Sequence, residues 1–205
     1  MIDCCMKAPE IITFAALNDH IRTLEQPTII AIDGRSGSGK TTFAKQLSHA
    51  VNATLVYSDD VAWHHSFFDW WDLLIENILE PFKAGKNVDY TPEAWKNKGR
   101  AGSILVTAAP VLILEGVSCT RLDYSHWIDL PIWVETNPKI AEERGLLRDG
   151  QAGRDFWFEW QAVERPLLEK DQPWTRAKLV VDGASSLEYD PNLEFVAITN
   201  QLTRN

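Results

Sequence analysis

Gly34, Gly39, Lys40 and Thr41 stand at the spacing G-x-x-x-x-G-K-[ST], a combination built to hold phosphate. Glycine lets backbone N–H groups approach phosphate oxygens closely. Lys40 brings an ammonium to the β- and γ-phosphates, and the Thr41 hydroxyl is a ligand type for Mg²⁺. Ser36, Gly37, Ser38 and Thr42 complete the cradle. The helix expected after Lys40 adds its unpaired N–H groups and its positive dipole end. Four specified positions rarely coincide by composition, so the stretch implies a bound nucleoside triphosphate.

Three further features bear on the reaction. Asp59-Asp60 follows an apolar run, Ala53–Tyr57. A carboxylate there can take the proton of a hydroxyl attacking the γ-phosphate, with Asp59 preferred and Asp60 the alternative. Acids after a strand also simply cap the next helix. Glu115 ends Val111–Leu114, and Gly116 beside it suggests close approach; a carboxylate here holds Mg²⁺ through its waters. Arg144, Arg148, Arg154 and Arg165 can converge on a polyphosphate, although surface arginines usually do no more than solvate a helix. Arg148 and Arg154 flank a turn with two glycines, which reads as a mobile lid. Phe67, Phe68, Trp70, Trp71, Tyr90 and Trp95 can stack on a planar substrate, though half or more of such residues are ordinary core. His64-His65 has no third partner at metal-ligand spacing and reads as loop.

The elements that position these residues follow from periodicity. Thr28–Asp33 is apolar and β-branched, a buried parallel strand that ends at the glycine turn. The helix after it runs to about Val51 with Phe43, Ala44 and Leu47 inward. Further strands are expected at Ala53–Tyr57, Val111–Leu114, Ile132–Val134 and Leu179–Gly183. Helices are expected over Glu10–Leu24, from an Asp69 N-cap through Phe82, over Lys139–Leu147, over Asp155–Lys170 with a kink at Pro166, and over Asn192–Leu202. Lys86–Gly102 reads as a loop or short hairpin. Strands alternating with helices give an α/β, doubly wound parallel sheet flanked by helices, with a short lid. One domain is expected across residues 1–205, with residues 1–27 a helical extension.

Composition excludes several classes. With 205 residues, 45% hydrophobic and 24% charged, the chain suits one globular domain. A net charge of −9 argues against a general nucleic-acid binder, which needs a basic footprint. No apolar run approaches the ~20 residues that span a bilayer, and Met1–Lys7 lacks the pattern of a signal peptide. The expected location is the cytoplasm. Cys4, Cys5 and Cys119 form no C-x-x-C and indicate neither a disulfide framework nor zinc. Nothing in the sequence speaks to oligomeric state.

In order, Gly34–Thr41, Ser58-Asp59-Asp60, Phe68-Asp69, Leu114-Glu115-Gly116, Arg148-Asp149, Gly153-Arg154 and Arg165-Pro166 before Leu179–Val181 resemble the uridine kinase-like branch of P-loop kinases. The resemblance covers about residues 28–183 and implies the P-loop NTPase fold. It also implies ATP- and Mg²⁺-dependent transfer of a phosphoryl group to a hydroxyl of a small molecule, most plausibly a nucleoside. On it, Asp59 matches the base, Asp69 the acid that holds sugar hydroxyls, Glu115 the metal-side acid, and Arg148 and Arg154 the lid arginines. Phe68, Tyr90 and Arg165 fall toward the acceptor. The sequence departs from the family at Ala94, Trp95 and Lys96, where a base-reading histidine is expected, and at Gly145, where arginine is common. A nucleotide acceptor would draw on Lys96, Lys98 and Arg100 for its extra charge. A GTPase-like switch lacks its signature, since Asn97-Lys98-Gly99-Arg100 has no acid in the fourth place.

Overall fold

No residue of β2 (Thr28–Asp33) is exposed, and the strand lies inside a seven-stranded sheet. The computed structural model describes residues 8–202. Side chains alternate across β2, as a pleat requires. Ile30 and Ile32 join Phe14, Phe43 and Leu47 on one face, and Ile29 and Ala31 join Trp70, Trp71 and Ile78 on the other. Burial on both faces is why the strand reads as a continuous apolar run.

From edge to edge the strands are Glu10–Thr13 (β1), Glu194–Asn200 (β9), Leu179–Asp182 (β8), Leu130–Glu135 (β7), β2, Val111–Glu115 (β6) and Thr54–Tyr57 (β3). The five from β8 to β3 are parallel, whereas β9 runs antiparallel to β8 and β1 antiparallel to β9. The carboxyl ends of the parallel strands therefore share one edge, where open α/β sheets collect ligands. Helices α1 (Phe14–Ile21) and α2 (Lys40–Val51) pack on one face. The other face is covered by α3 (Ser58–Ala62), α4 (Trp71–Leu74), a π-turn at Ile75–Leu79 and α5 (Glu80–Lys83). After α5 come Val88–Tyr90 (β4), Glu93–Lys98 (α6) and Ile104–Val106 (β5), with β4 and β5 paired antiparallel around α6. Helices α7 (Pro138–Asp149) and α8 (Arg154–Asp171) meet at a turn over residues 150–153.

Several expectations are corrected. The N-terminal helix begins later than its periodicity suggests. Glu10–Thr13 is an edge strand, and Thr13 is the N-cap, accepting from Ala16 N at 3.1 Å. Residues 1–27 are thus not purely helical, and Phe14, Leu17 and Ile21 belong to the core. The closing segment is also a strand. Phe195, Val196 and Ala197 are consecutive and all buried, and β9 pairs with β1 on one edge and β8 on the other; a short apolar run does not separate the two periodicities. Asp69 does not cap a helix: α4 starts at Trp71, and Asp69 N donates to Ser66 Oγ at 3.1 Å. Pro166 does not restart α8, which continues through it. Pro166 and Ala162 are both exposed, so water can serve the carbonyl that the ring leaves unpaired.

Cys119 is buried and free, whereas Cys4 and Cys5 and the terminal segment Met1–Lys7 lie outside the described residues. Among the described residues, no helix is long and apolar enough to cross a membrane.

Candidate active site

The glycine-rich turn leaves β2 and enters α2 with its backbone turned toward the strand ends. Gly37 sits at φ +79°, and a Cβ there would overlap the Ala141 carbonyl of α7. Gly39 is the N-cap of α2, and no side chain caps the helix, so its first N–H groups face outward for an anion. Gly34 N donates to Asp33 Oδ1 at 2.7 Å, and the Ser38 carbonyl accepts from Thr136 Oγ1 at 2.8 Å. Thr42 is exposed on the same first turn.

Glu115, at the end of β6, binds both chemical residues of the loop. It accepts from Thr41 Oγ1 at 3.1 Å and lies 3.8 Å from Lys40 Nζ, which also reaches the Arg35 carbonyl at 3.5 Å. A Cβ at Gly116 would overlap the Ser58 side chain, which shows how closely β6 and the start of α3 approach. Burial pushes the Glu115 carboxyl above the usual carboxylate range; Lys40 and the Thr41 hydroxyl pull it down, and Asp59 and Asp33 add repulsion. Thr41 and Glu115 form the pair that can hold a metal ion. Among the described residues no cluster of three or more His, Cys, Asp or Glu does so.

The two acids after β3 have different surroundings. Asp60 accepts from Arg100 Nη2 at 2.5 Å, its carbonyl accepts from Trp95 Nε1 at 2.8 Å, and the Arg100 guanidinium lies 3.5 Å over the Trp95 ring. Asp59 instead faces a cavity of about 750 Å³ that it shares with Ser36, Lys40, Thr41 and Glu115. The far wall is aromatic: Trp63, Phe67, Phe156 and Trp160, with His64 and His65 beside them. Phe67 meets Phe156 at 6.0 Å and Trp160 at 5.2 Å, both edge-on. The volume and the mix of apolar walls with a few polar groups suit a small ligand.

The remaining expected residues are distributed unevenly. Arg148 lines the cavity and forks onto Asp149, with Nε–Oδ1 at 2.6 Å and Nη2–Oδ2 at 2.9 Å; that pairing raises its pKa. Arg154 is exposed, lies 5.3 Å over Phe158 and does not line the cavity, because the first turn of α8 points it outward. Arg165 lines a second cavity of about 480 Å³, bordered by Arg35, Ser36 and residues of α7 and α8. Phe68 packs on Trp160 at 4.9 Å with its carbonyl held by Arg121 Nη1, Asp69 is exposed, and half-buried Tyr90 packs at the edge of the second core face. None of these three lines the cavity. Trp70, Trp71 and Trp95 are core, and Lys96 pairs with Glu93.

Several contributors escape sequence reasoning. Asp33 is fully buried and accepts four hydrogen bonds, from Gly34 N, Ser118 N, Thr120 N and Thr120 Oγ1 at 2.7–2.9 Å. It ties the loop after β6 to the phosphate loop, and burial raises its pKa against those donors. Arg144, by contrast, is one of the four arginines read from the sequence, and it donates to the Gly183 carbonyl at 2.8 Å, beside Gly39. Gly145 is glycine because the Trp157 ring occupies the space of its Cβ. Trp63, Phe156 and Trp160 are spread over two distant segments, so only the fold unites them.

No known protein-family profile matches the chain. It is 31% identical over 137 residues to a uridine kinase of Borreliella burgdorferi, a match covering 59% of this chain and 66% of that relative. Among solved structures, a protein provisionally named a fructose transport system kinase, from Silicibacter, superposes with a TM-score of 0.56 at 18% identity, over 81% of this chain and 95% of the other. A provisionally named uridine kinase from Bacillus stearothermophilus gives a TM-score of 0.51 at 19% identity, over 82% and 97%. At those identities the two structures speak for the fold, a central parallel sheet with a phosphate loop at its edge.

Proposed function

We propose that this chain, which belongs to the uridine kinase-like P-loop kinases, transfers the γ-phosphoryl group of ATP to a hydroxyl of a small molecule, a nucleoside of the uridine or cytidine kind. The observation that carries the reading is the division of labour between neighbouring acids. Asp60 is committed to Arg100 and Trp95, whereas Asp59 faces the cavity beside Lys40, Thr41 and Glu115.

The residues present fit the nucleotide and its metal. The uncapped start of α2 and the turn at Gly37 and Gly39 suit a polyphosphate, and the 3.1 Å contact of Thr41 with Glu115 suits a hydrated cation. When bound, Mg²⁺ supplies charge neutralisation between the β- and γ-phosphates. Lys40, resting against Glu115 and the Arg35 carbonyl, is within a side-chain rotation of the loop's concave face, where it would hold the transferring group. Asp59 takes the proton from the acceptor hydroxyl as the bond to phosphorus forms. Arg148 sits at the rim, 64% exposed in its side chain, and would exchange Asp149 for phosphate oxygens. The aromatic wall of Trp63, Phe67 and Trp160 would stack the acceptor and exclude water.

The test is a pair of substitutions assayed for ATP turnover with uridine or cytidine. Asp59→Asn should lower kcat by about 10²–10⁴-fold, the range of a lost general base, and leave ATP binding nearly intact. Asp60→Asn should retain transfer while lowering thermal stability. Loss of transfer in Asp60→Asn with retention in Asp59→Asn would overturn the base assignment.

A further inference from the structure

Glu164, near the middle of α8, is a carboxylate with only 1% of its surface exposed, and it lies behind the phosphate loop. No Lys or Arg pairs with it among the described residues. Its partners are hydrogen-bond donors. Oε1 accepts from Ser36 N at 2.9 Å; Oε2 accepts from Trp160 Nε1 in a short contact and from Gln161 Nε2 at 3.3 Å. Trp160 Nε1 also lies 2.7 Å from Ser36 Oγ. A buried carboxylate without a cation is expensive unless such donors satisfy it, so this arrangement holds its geometry firmly.

Trp160 and Glu164 are four residues apart and therefore project from one face of α8. The Trp160 ring forms part of the aromatic cavity wall and packs on Phe67 and Phe68. Ser36 is the loop residue that borders that same cavity ahead of Gly37, on the side of Asp59. Because Ser36 borders the cavity that Asp59 also lines, a phosphate directed from the Gly37–Thr41 cradle at the acceptor would extend toward Ser36. We propose that Glu164 is a positioning residue: it fixes Ser36 for the third phosphate and couples that position, through Trp160, to the acceptor wall. The proposal rests on the phosphoryl-transfer reading of the cavity.

The experiment measures Kd for MgATP and for MgADP by calorimetry on the full chain, wild type, Glu164→Gln, Trp160→Phe and the double variant. Glutamine keeps the size of the side chain but turns an amide NH₂ toward donors; phenylalanine keeps a ring and removes the N–H. Glu164→Gln should weaken MgATP about 10-fold, 1.4 kcal/mol at 25 °C, and MgADP much less, so the ratio of the two constants changes. General loosening of the fold would weaken both nucleotides alike. Trp160→Phe should shift the ratio in the same direction, and the double variant should be little worse than Glu164→Gln, because the two act as one unit. An unchanged ratio in Glu164→Gln, or fully additive losses in the double variant, would overturn the proposal. Should Glu164→Gln fail to fold, Trp160→Phe alone decides it by the same ratio. A wild type that binds neither nucleotide would instead sink the phosphate-loop reading, an outcome separate from these.

Discussion

Replacing Glu115 with glutamine should separate stability from activity. The carboxylate has 6% of its side chain exposed and stands 3.8 Å from Lys40 Nζ, 11% exposed, and 3.1 Å from Thr41 Oγ1. Its pKa is nevertheless raised, so burial outweighs both favourable contacts in the unliganded protein. A raised carboxyl pKa means that the folded state binds more protons than the unfolded chain between the two values. Stability then falls as pH climbs from the unfolded value through the folded one, and no further above it. Each unit of displacement is worth about 1.4 kcal/mol, and each kcal/mol moves Tm by about 2–4 °C in a chain of this size. Glutamine still accepts from Thr41 and carries no charge to bury. Glu115→Gln should therefore melt at or above the wild-type temperature at pH 7, with the difference shrinking toward pH 4. Activity should move the other way. On the proposed reading, in which Glu115 holds the cation that neutralises the reacting phosphates, losing its charge should lower kcat by about 10²–10³-fold, ~2.7–4 kcal/mol. Wild-type turnover should also decline as pH falls through the raised pKa, with more Mg²⁺ needed at the acidic end. Melting curves across pH and kcat at saturating ATP read both effects. A variant that is less stable than wild type at pH 7, by a margin that shrinks as pH falls, would refute the claim that burial dominates this carboxylate.

Two further substitutions probe the frame. Gly145→Ala should destabilise by about 1–3 kcal/mol, the usual range for overpacking, because its methyl meets the buried Trp157 ring; an unchanged Tm would mean that α7 and α8 separate easily. Asp33→Asn should cost about 3 kcal/mol, since an amide turns an NH₂ toward some of the four buried donors that the carboxylate accepts from and leaves them unpaired. Chemical denaturation checks it, and a loss below 1 kcal/mol would show that the loop after β6 holds its place without this anchor.

The parts of the site written contiguously were legible in the sequence. Gly34–Thr42 announces itself because loop chemistry requires fixed residue types at fixed steps. The placement of Asp59 and Glu115 beside the loop was legible because each follows an apolar run, and strand ends of a parallel sheet gather at one edge. The acceptor wall was not. Trp63 and Phe67 follow β3, whereas Phe156 and Trp160 lie on α8, and nothing in the local pattern separates them from Trp70, Trp71 and Trp95, which are core. Asp69 and Tyr90 were assigned to the acceptor through family resemblance, but neither lines the cavity: Asp69 is exposed in the turn at Ser66, and Tyr90 lies in the β4–β5 pair. Arg154 looked equivalent to Arg148, yet a helix start between them turns one outward. Two segments read as helix, Glu10–Thr13 and Asn192–Leu202, carry strands instead because β1 pairs with β9 across nearly the whole chain and β9 pairs with β8 on its other edge.

The most direct measurement follows the terminal phosphate of ATP labelled at the γ position. With uridine or cytidine present, the label should appear in a phosphate ester of the nucleoside, at a rate abolished by Asp59→Asn. Label released only as inorganic phosphate, at a rate that no acceptor changes, would contradict phosphoryl transfer as the work of this site.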